Sequence, residues 1–315
     1  MAVTRNDSNS PLPYFGPLSG ISAYANRGGE IFHYVSNQTN PYDVLNATYR
    51  VHVFDRTGDQ SIYFDRAGSV DVLLIAGGGS GGTAYESYQA GGGGGAGGLL
   101  ESYNVAVSTG ETRLHVAAGG ISTSHAGDGA ITLPYKGENS TFGSLAAIGG
   151  SFGGSRGNVY AATRSGGSGG GASDANVSTP QYGGQGVPGQ GNPGGDTLVT
   201  WDVAAGGGGA GEPGASITDT GVMGHGGDGR AVAFYSNTEY YYSGGGAGGT
   251  SRSGYGNPTG GLGGGGSNIV GYARNGGPAE YYGGGGGGAM ANTSNGWYAG
   301  GNGYQGLVMV RYRIG

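Results

Sequence analysis

The chain has 315 residues, 81 of them glycine, with no cysteine and a formal net charge of −6. Glycine is about 7% of an ordinary protein, so long stretches here have too few side chains to build a normal core. The absence of cysteine excludes disulfide staples, thiolate metal sites and cysteine nucleophiles. An acidic balance with a single lysine, Lys136, lacks the charge pattern of a nucleic-acid binder or a polybasic membrane anchor.

In chain order, residues 1–48 read as an irregular N-terminal segment. Pro11, Pro13 and Pro17 stiffen it, and Leu12, Tyr14, Phe15 and Leu18 suit it to docking on a partner. It has no apolar signal core, and Val70 to Ala76, interrupted by Asp71, falls short of the roughly 20 residues of a membrane span. A soluble, non-secreted protein is expected, with no membrane insertion. Residues 49–148 read as a β-rich domain. Tyr49 to Phe54, Ser61 to Phe64 and Val70 to Ile75 have strand patterns. Tyr103 to Val107 and Thr112 to Val116 flank a turn at Ser108-Thr109-Gly110-Glu111 and read as a hairpin. Two shorter strands are expected around Ser140 to Phe142 and Leu145 to Ile148. No window has a capped 3.6-residue period, so almost no α-helix is expected.

Residues 149–306 form a glycine-rich region in which blocks of glycine alternate with segments rich in Tyr, Asn, Ser and Thr. Two further blocks, Gly77 to Gly82 and Gly91 to Gly98, lie earlier. Disordered chains are poor in aromatics, whereas this one has 23 tyrosines, 7 phenylalanines and 2 tryptophans. Glycine loses the most backbone entropy on ordering and brings nothing to bury. Packed polyproline-II-type helices can offset that, since bare backbones approach until N–H and C=O groups pair between neighbours. The expected fold is all-β and irregular: a β-sheet domain with an inserted polyglycine-II bundle carrying variable loops. Residues 307–315 read as a closing strand that returns to the early sheet.

Several motifs mislead. Gly77-Gly78-Gly79-Ser80-Gly81-Gly82 follows a strand as a dinucleotide loop would, but no helix follows to receive a pyrophosphate. The two matches to the serine nucleophile elbow, at Ser80 and Ser168, lack its strand–helix setting. The five histidines show no metal-ligating spacing, and Asp128 and Asp228 are only faintly like calcium-repeat positions. No cofactor, metal or enzymatic activity is expected.

Val70-Asp71-Val72-Leu73-Leu74-Ile75-Ala76-Gly77-Gly78-Gly79, followed by Gly91 to Leu99, resembles the opening of the glycine-rich domain common in bacteriophage tail proteins. Asn139-Ser140-Thr141-Phe142-Gly143 with Ala147-Ile148-Gly149-Gly150 is similar to its middle, and Gly303 to Tyr312 to its closing strand. Glycine blocks alternating with aromatic loops are similar to the distal tail-fibre adhesins of T-even-type phages. The resemblance implies a virion tail protein, assembled in the host cytoplasm, that recognises the bacterial surface through Tyr-rich loops. Its implied partners are other tail proteins through the N-terminal segment and a host surface polysaccharide or outer-membrane protein, with a homo-oligomer left open. A purely structural fibre or baseplate component is the alternative. Tyrosine and tryptophan give large, rigid contact areas, so Trp201, Tyr240, Tyr241, Tyr242, Trp297 and Tyr298 are the candidate receptor contacts.

Overall fold

Successive side chains of a strand face opposite ways, and in Gly68–Ile75 both sets are buried: Val70, Val72 and Leu74 on one face, Leu73 and Ile75 on the other. A strand with two buried faces must lie between two packed layers, and the rest of the fold follows from that. The computed structural model describes residues 23–26, 30–36, 46–85, 89–122, 135–155, 164–174, 179–199, 202–219, 221–250, 256–268, 274–291 and 296–314. Among them there is no α-helix, and no helix long and apolar enough to cross a membrane.

The strands, in chain order, are β1 Ala23–Asn26, β2 Glu30–Val35, β3 Thr48–Phe54, β4 Gly58–Phe64, β5 Gly68–Ile75, β6 Ala84–Tyr85, β7 Gln89–Ala90, β8 Leu99–Val107, β9 Gly110–Val116, β10 Ser140–Phe142, β11 Leu145–Ala147, β12 Arg230–Val232, β13 Tyr240–Tyr242, β14 Met290–Ala291, β15 Trp297–Tyr298 and β16 Leu307–Arg313. Two five-stranded antiparallel sheets form, in the orders β1-β4-β9-β10-β11 and β2-β3-β16-β5-β8. Phe54, Val72, Leu74, Val308 and Val310 of the second sheet pack against Ile62, Phe64, Leu114 and Phe142 of the first. On its other face the second sheet buries Val51, Leu73, Ile75, Leu307 and Met309 against Val232, Phe234 and Tyr242.

The C-terminal strand β16 lies between β3 and β5, pairing Val310 with His52 on one side and Val72 on the other. Two expectations are corrected. Residues 23–26 and 30–35, read as irregular, are edge strands on β4 and β3. The expected hairpin of residues 103–107 and 112–116 is not one: β8 pairs with β5, whereas β9 pairs with β4 and β10. The short link between them crosses from one sheet to the other, because each strand finds a longer partner in its own layer.

The glycine blocks pair with one another by backbone alone, and the register has a period of three. Gly92, Gly95 and Gly98 donate to Gly154, Ser151 and Ile148. Gly91, Gly94 and Gly97 donate to Ala289, Gly286 and Gly283, while Gly93 and Ala96 donate to Ala205 and Gly208. The segment's carbonyls accept from Gly82, Gly79 and Ala76, from Gly171 and Ser168, and from Gly249 and Gly246. Each third of the residues thus serves one donor and one acceptor direction, as three residues per turn require. Residues 91–98 are enclosed by six other segments and fully buried. A Cβ built at Gly93 would sit 2.0 Å from the Gly246 carbonyl oxygen, and one at Gly97 2.0 Å from that of Ala76. The two early blocks, which fall in the span read as β-rich, are therefore the middle of the bundle.

Candidate functional site

The register sorts the connections into two ends. Residues 76–82 leave the sheet at the end of β5, and residues 91–98 return to it at the start of β8, so residues 83–85 and 89–90 mark the far end. Met290 and Ala291 pair with Ala90 and Gln89, Trp297 and Tyr298 with Tyr85 and Ala84. Asp174, which donates to Ala90, and the bridged pair Val203 and Thr250 also belong there. The sheet-side end holds the β12–β13 connection and the turns Leu262 to Gly264 and Tyr281 to Gly283. At Gly263 and Gly264 φ is +89° and +91°, a backbone that a side chain would strain.

The five described candidate contacts do not come together. Trp201 lies outside the described residues. Trp297 and Tyr298 sit half-buried at the far end, where the Tyr298 ring packs on Ala84, Ala289 and Ala291. Tyr182 and Leu198 expose 56% and 43% of their surface on described parts of other connections. Tyr240, Tyr241 and Tyr242 are on the sheet side. Tyr240 and Tyr241 are exposed, but Tyr242, expected as a contact, is 1% exposed. The pleat puts Tyr240 and Tyr242 on one face of β13 and Tyr241 on the other; Tyr242 packs against Val232, Phe234 and the second sheet, and its ring stacks on Tyr281 at 5.5 Å. It belongs to the core.

Around Tyr240 and Tyr242 the fold assembles rings that sequence reasoning missed. Tyr235 stacks on Tyr240 at 5.2 Å and leans on Phe32; Tyr281 meets Tyr282 edge-on, and Tyr282 meets Tyr304. Tyr235 is hydrogen-bonded to Tyr240, and Tyr242 to Tyr281. Burial and the neighbouring phenols raise the pKa values of Tyr235 and Tyr242 well above the ordinary phenol range, and burial raises that of Tyr281, so all three hydroxyls stay protonated. The missed rings had one available signal: they lie at the sheet-side ends of glycine blocks, as Tyr240 does.

Arg311 fixes this strip to the sheet. It is 1% exposed, paired with Asp71 at 3.0 Å, and it donates to the Tyr34 hydroxyl at 2.6 Å and the Phe234 carbonyl at 3.2 Å. The Tyr49 and Phe234 rings lie 5.1 and 4.6 Å from its guanidinium carbon. A buried cation is tolerated only when paired and hydrogen-bonded, and here the partners include the loop that carries Tyr235. Asn237 donates to the Val35 carbonyl and holds the same loop to β2.

A groove of ≈ 530 Å³ opens on the outer face of the first sheet, lined by residues including Asp59, Glu111, Arg113 and His115. The His115 ring meets Asp59 at 2.6 Å and Glu138 at 3.5 Å. Burial opposes its protonation, but the two carboxylates outweigh that and its pKa is raised. Among the described residues no group of three or more His, Cys, Asp or Glu side chains is arranged to hold a metal. Asp228, weighed as a calcium position, accepts the Leu262 amide instead and serves the turn there; Asp128 lies outside the described residues.

The chain belongs to the glycine-rich domain family. The family model covers residues 56–313, from two residues before β4 to the last residue of β16. A search of curated proteins found no match.

Proposed function

We propose that this member of the glycine-rich domain family is a bacteriophage tail-fibre adhesin that recognises the bacterial cell surface. The observation that carries the reading is the sorting of connections: a core of paired backbone holds one set of them, with Trp297 and Tyr298 among it, at the end opposite the sheets. Loops on a rigid scaffold can vary without disturbing it, which is what recognition of varying surfaces demands. In this reading Trp297 and Tyr298 are contacts at the far end, and the sheet end joins other tail proteins.

The test is adsorption of the purified protein to a panel of bacterial strains, with Trp297→Ala and Tyr298→Ala as variants. Saturable adsorption to some strains, reduced at least tenfold by Trp297→Ala with an unchanged melting temperature, supports the reading. Absence of adsorption together with stable binding to tail proteins favours the structural alternative.

A further inference from the structure

We propose that the groove on the outer face of the first sheet binds a small amino-carboxylate zwitterion, a free amino acid or a peptide of two or three residues. Strand register sets its shape. Glu111, Arg113 and His115 alternate along β9 and line the groove together. Arg113 stands opposite Ser61 of β4. On its other side its carbonyl accepts the amide of Gly143, in the turn between β10 and β11. A short side chain on one side and none on the other leave a trough at Arg113. Taller rows bound it, Asp59, His115 and Thr141 on one side and Tyr63 and Glu111 on the other. At Gly143 φ is +54°, a backbone that disfavours a side chain, so the trough is built into the turn.

Charge decides the kind of ligand. Asp59, His115 and Glu138 satisfy one another, with His115 2.6 Å from Asp59 and 3.5 Å from Glu138. Arg113 and Glu111 are exposed, and among the described residues neither has an ion pair or a side-chain hydrogen bond. Residues two apart on a strand share a face about 7 Å from each other. The groove thus offers one uncommitted cation and one uncommitted anion at a short, set spacing. A planar carboxylate matches the guanidinium fork, and an ammonium group beside it meets Glu111. A simple anion is repelled by Glu111 and a simple cation by Arg113, so the pair selects a molecule that carries both charges. Ser61 and Thr141, which also line the groove, add hydroxyls for a peptide group. A volume of ≈ 530 Å³ has room for a few residues and not for a folded partner. The site stands on its own geometry and does not depend on the far end binding a cell surface.

Calorimetric titration of the full chain with dialanine, N-acetyl-dialanine and dialanine amide, near pH 6 where both dialanine termini are charged, tests the proposal. Dialanine is expected to bind in the millimolar range, and each capped form at least tenfold more weakly. Arg113→Gln should weaken dialanine binding at least tenfold and abolish the preference over dialanine amide. Glu111→Gln should abolish the preference over N-acetyl-dialanine. Neither substitution should move the melting temperature, and Trp297→Ala should leave binding unchanged. Alanine or trialanine binding in place of dialanine, with the same need for both charged termini, supports the proposal and fixes the length. No binding of any of the three at millimolar concentration overturns it. So does a capped form that binds as well as the free one, or an Arg113→Gln variant that binds as well as the parent. Because Trp297→Ala reads the far end alone, failure here and failure of the adhesin reading are separable.

Discussion

The layer between the two sheets and the centre of the glycine bundle are both buried, and they are built in opposite ways. Between the sheets, Phe54, Ile62, Phe64 and Leu74 exclude water with side chains, and the backbone is held at ordinary sheet spacing. In the bundle the backbones themselves touch, and the Gly94 carbonyl lies 2.2 Å from where a Cβ at Gly285 would be. A side-chain core tolerates lost volume at a cost graded by the cavity. At glycines such as Gly285 the backbone core tolerates no added atom, because the obstacle is a carbonyl that is already hydrogen-bonded.

The largest expected effect follows from that contrast. Gly285→Val should cost more than about 4 kcal/mol, beyond the usual range of single substitutions, and leave the protein unfolded or insoluble. Gly246→Val should do the same, since its Cβ would lie 2.1 Å from the Gly286 oxygen. Gly256→Ala, whose Cβ would meet, among the described residues, the flexible end of the Met223 side chain, Cε at 3.0 Å and Sδ at 3.4 Å, is the control and should melt close to the parent. Equal melting temperatures for all three would break the comparison.

Next comes the tyrosine run. Tyr242→Ala removes a buried ring and should cost about 3–5 kcal/mol, whereas Tyr241→Ala, at a half-exposed site, should stay within about 0.5 kcal/mol. Chemical denaturation of the two variants sharpens the boundary between core and surface.

The smallest effect is the pH dependence. Burial, chiefly, with Arg50 and His33 adding to it, lowers the His52 pKa from 6.5 to about 3. Below pH 6.5 the unfolded chain takes up a proton that the folded one refuses, so the His52 contribution is complete above that pH and declines toward pH 3. The slope approaches roughly 1.4 kcal/mol per pH unit. His33, also lowered, acts in the same direction. His115 has the opposite sign: its stabilisation is present below its unfolded pKa and is lost as pH rises through its raised folded value. Melting temperatures from pH 7 to 4 should fall in the parent and fall less in His52→Gln.

Much of the fold was legible because apolar runs and glycine blocks each have few physical solutions. Val70 to Ile75 and Leu307 to Val310 read as strands without polar alternation, which a sheet buried on both faces explains. What the sequence could not supply was partnership. Glycine blocks have no side chains to label them, so nothing in residues 91–98 announces the six segments around them. The turn after Val107 looked local, yet its strands had better partners in different sheets. At the candidate site, alternation foretold that three consecutive tyrosines could not all face inward. Which one does, and which distant rings join it, depended on the register of β13 against β12.

The central claim is that the glycine blocks form a backbone-bonded core. Native-state hydrogen exchange of the amides of Gly93, Gly94 and Gly95 tests it most directly. These amides donate to Ala205, Gly286 and Ser151 and lie at the middle of the bundle. They should exchange only through global unfolding, as slowly as Val72 and Val310 in the second sheet. Exchange at the rate of an unstructured glycine linker, with the sheet amides still protected, would contradict the account.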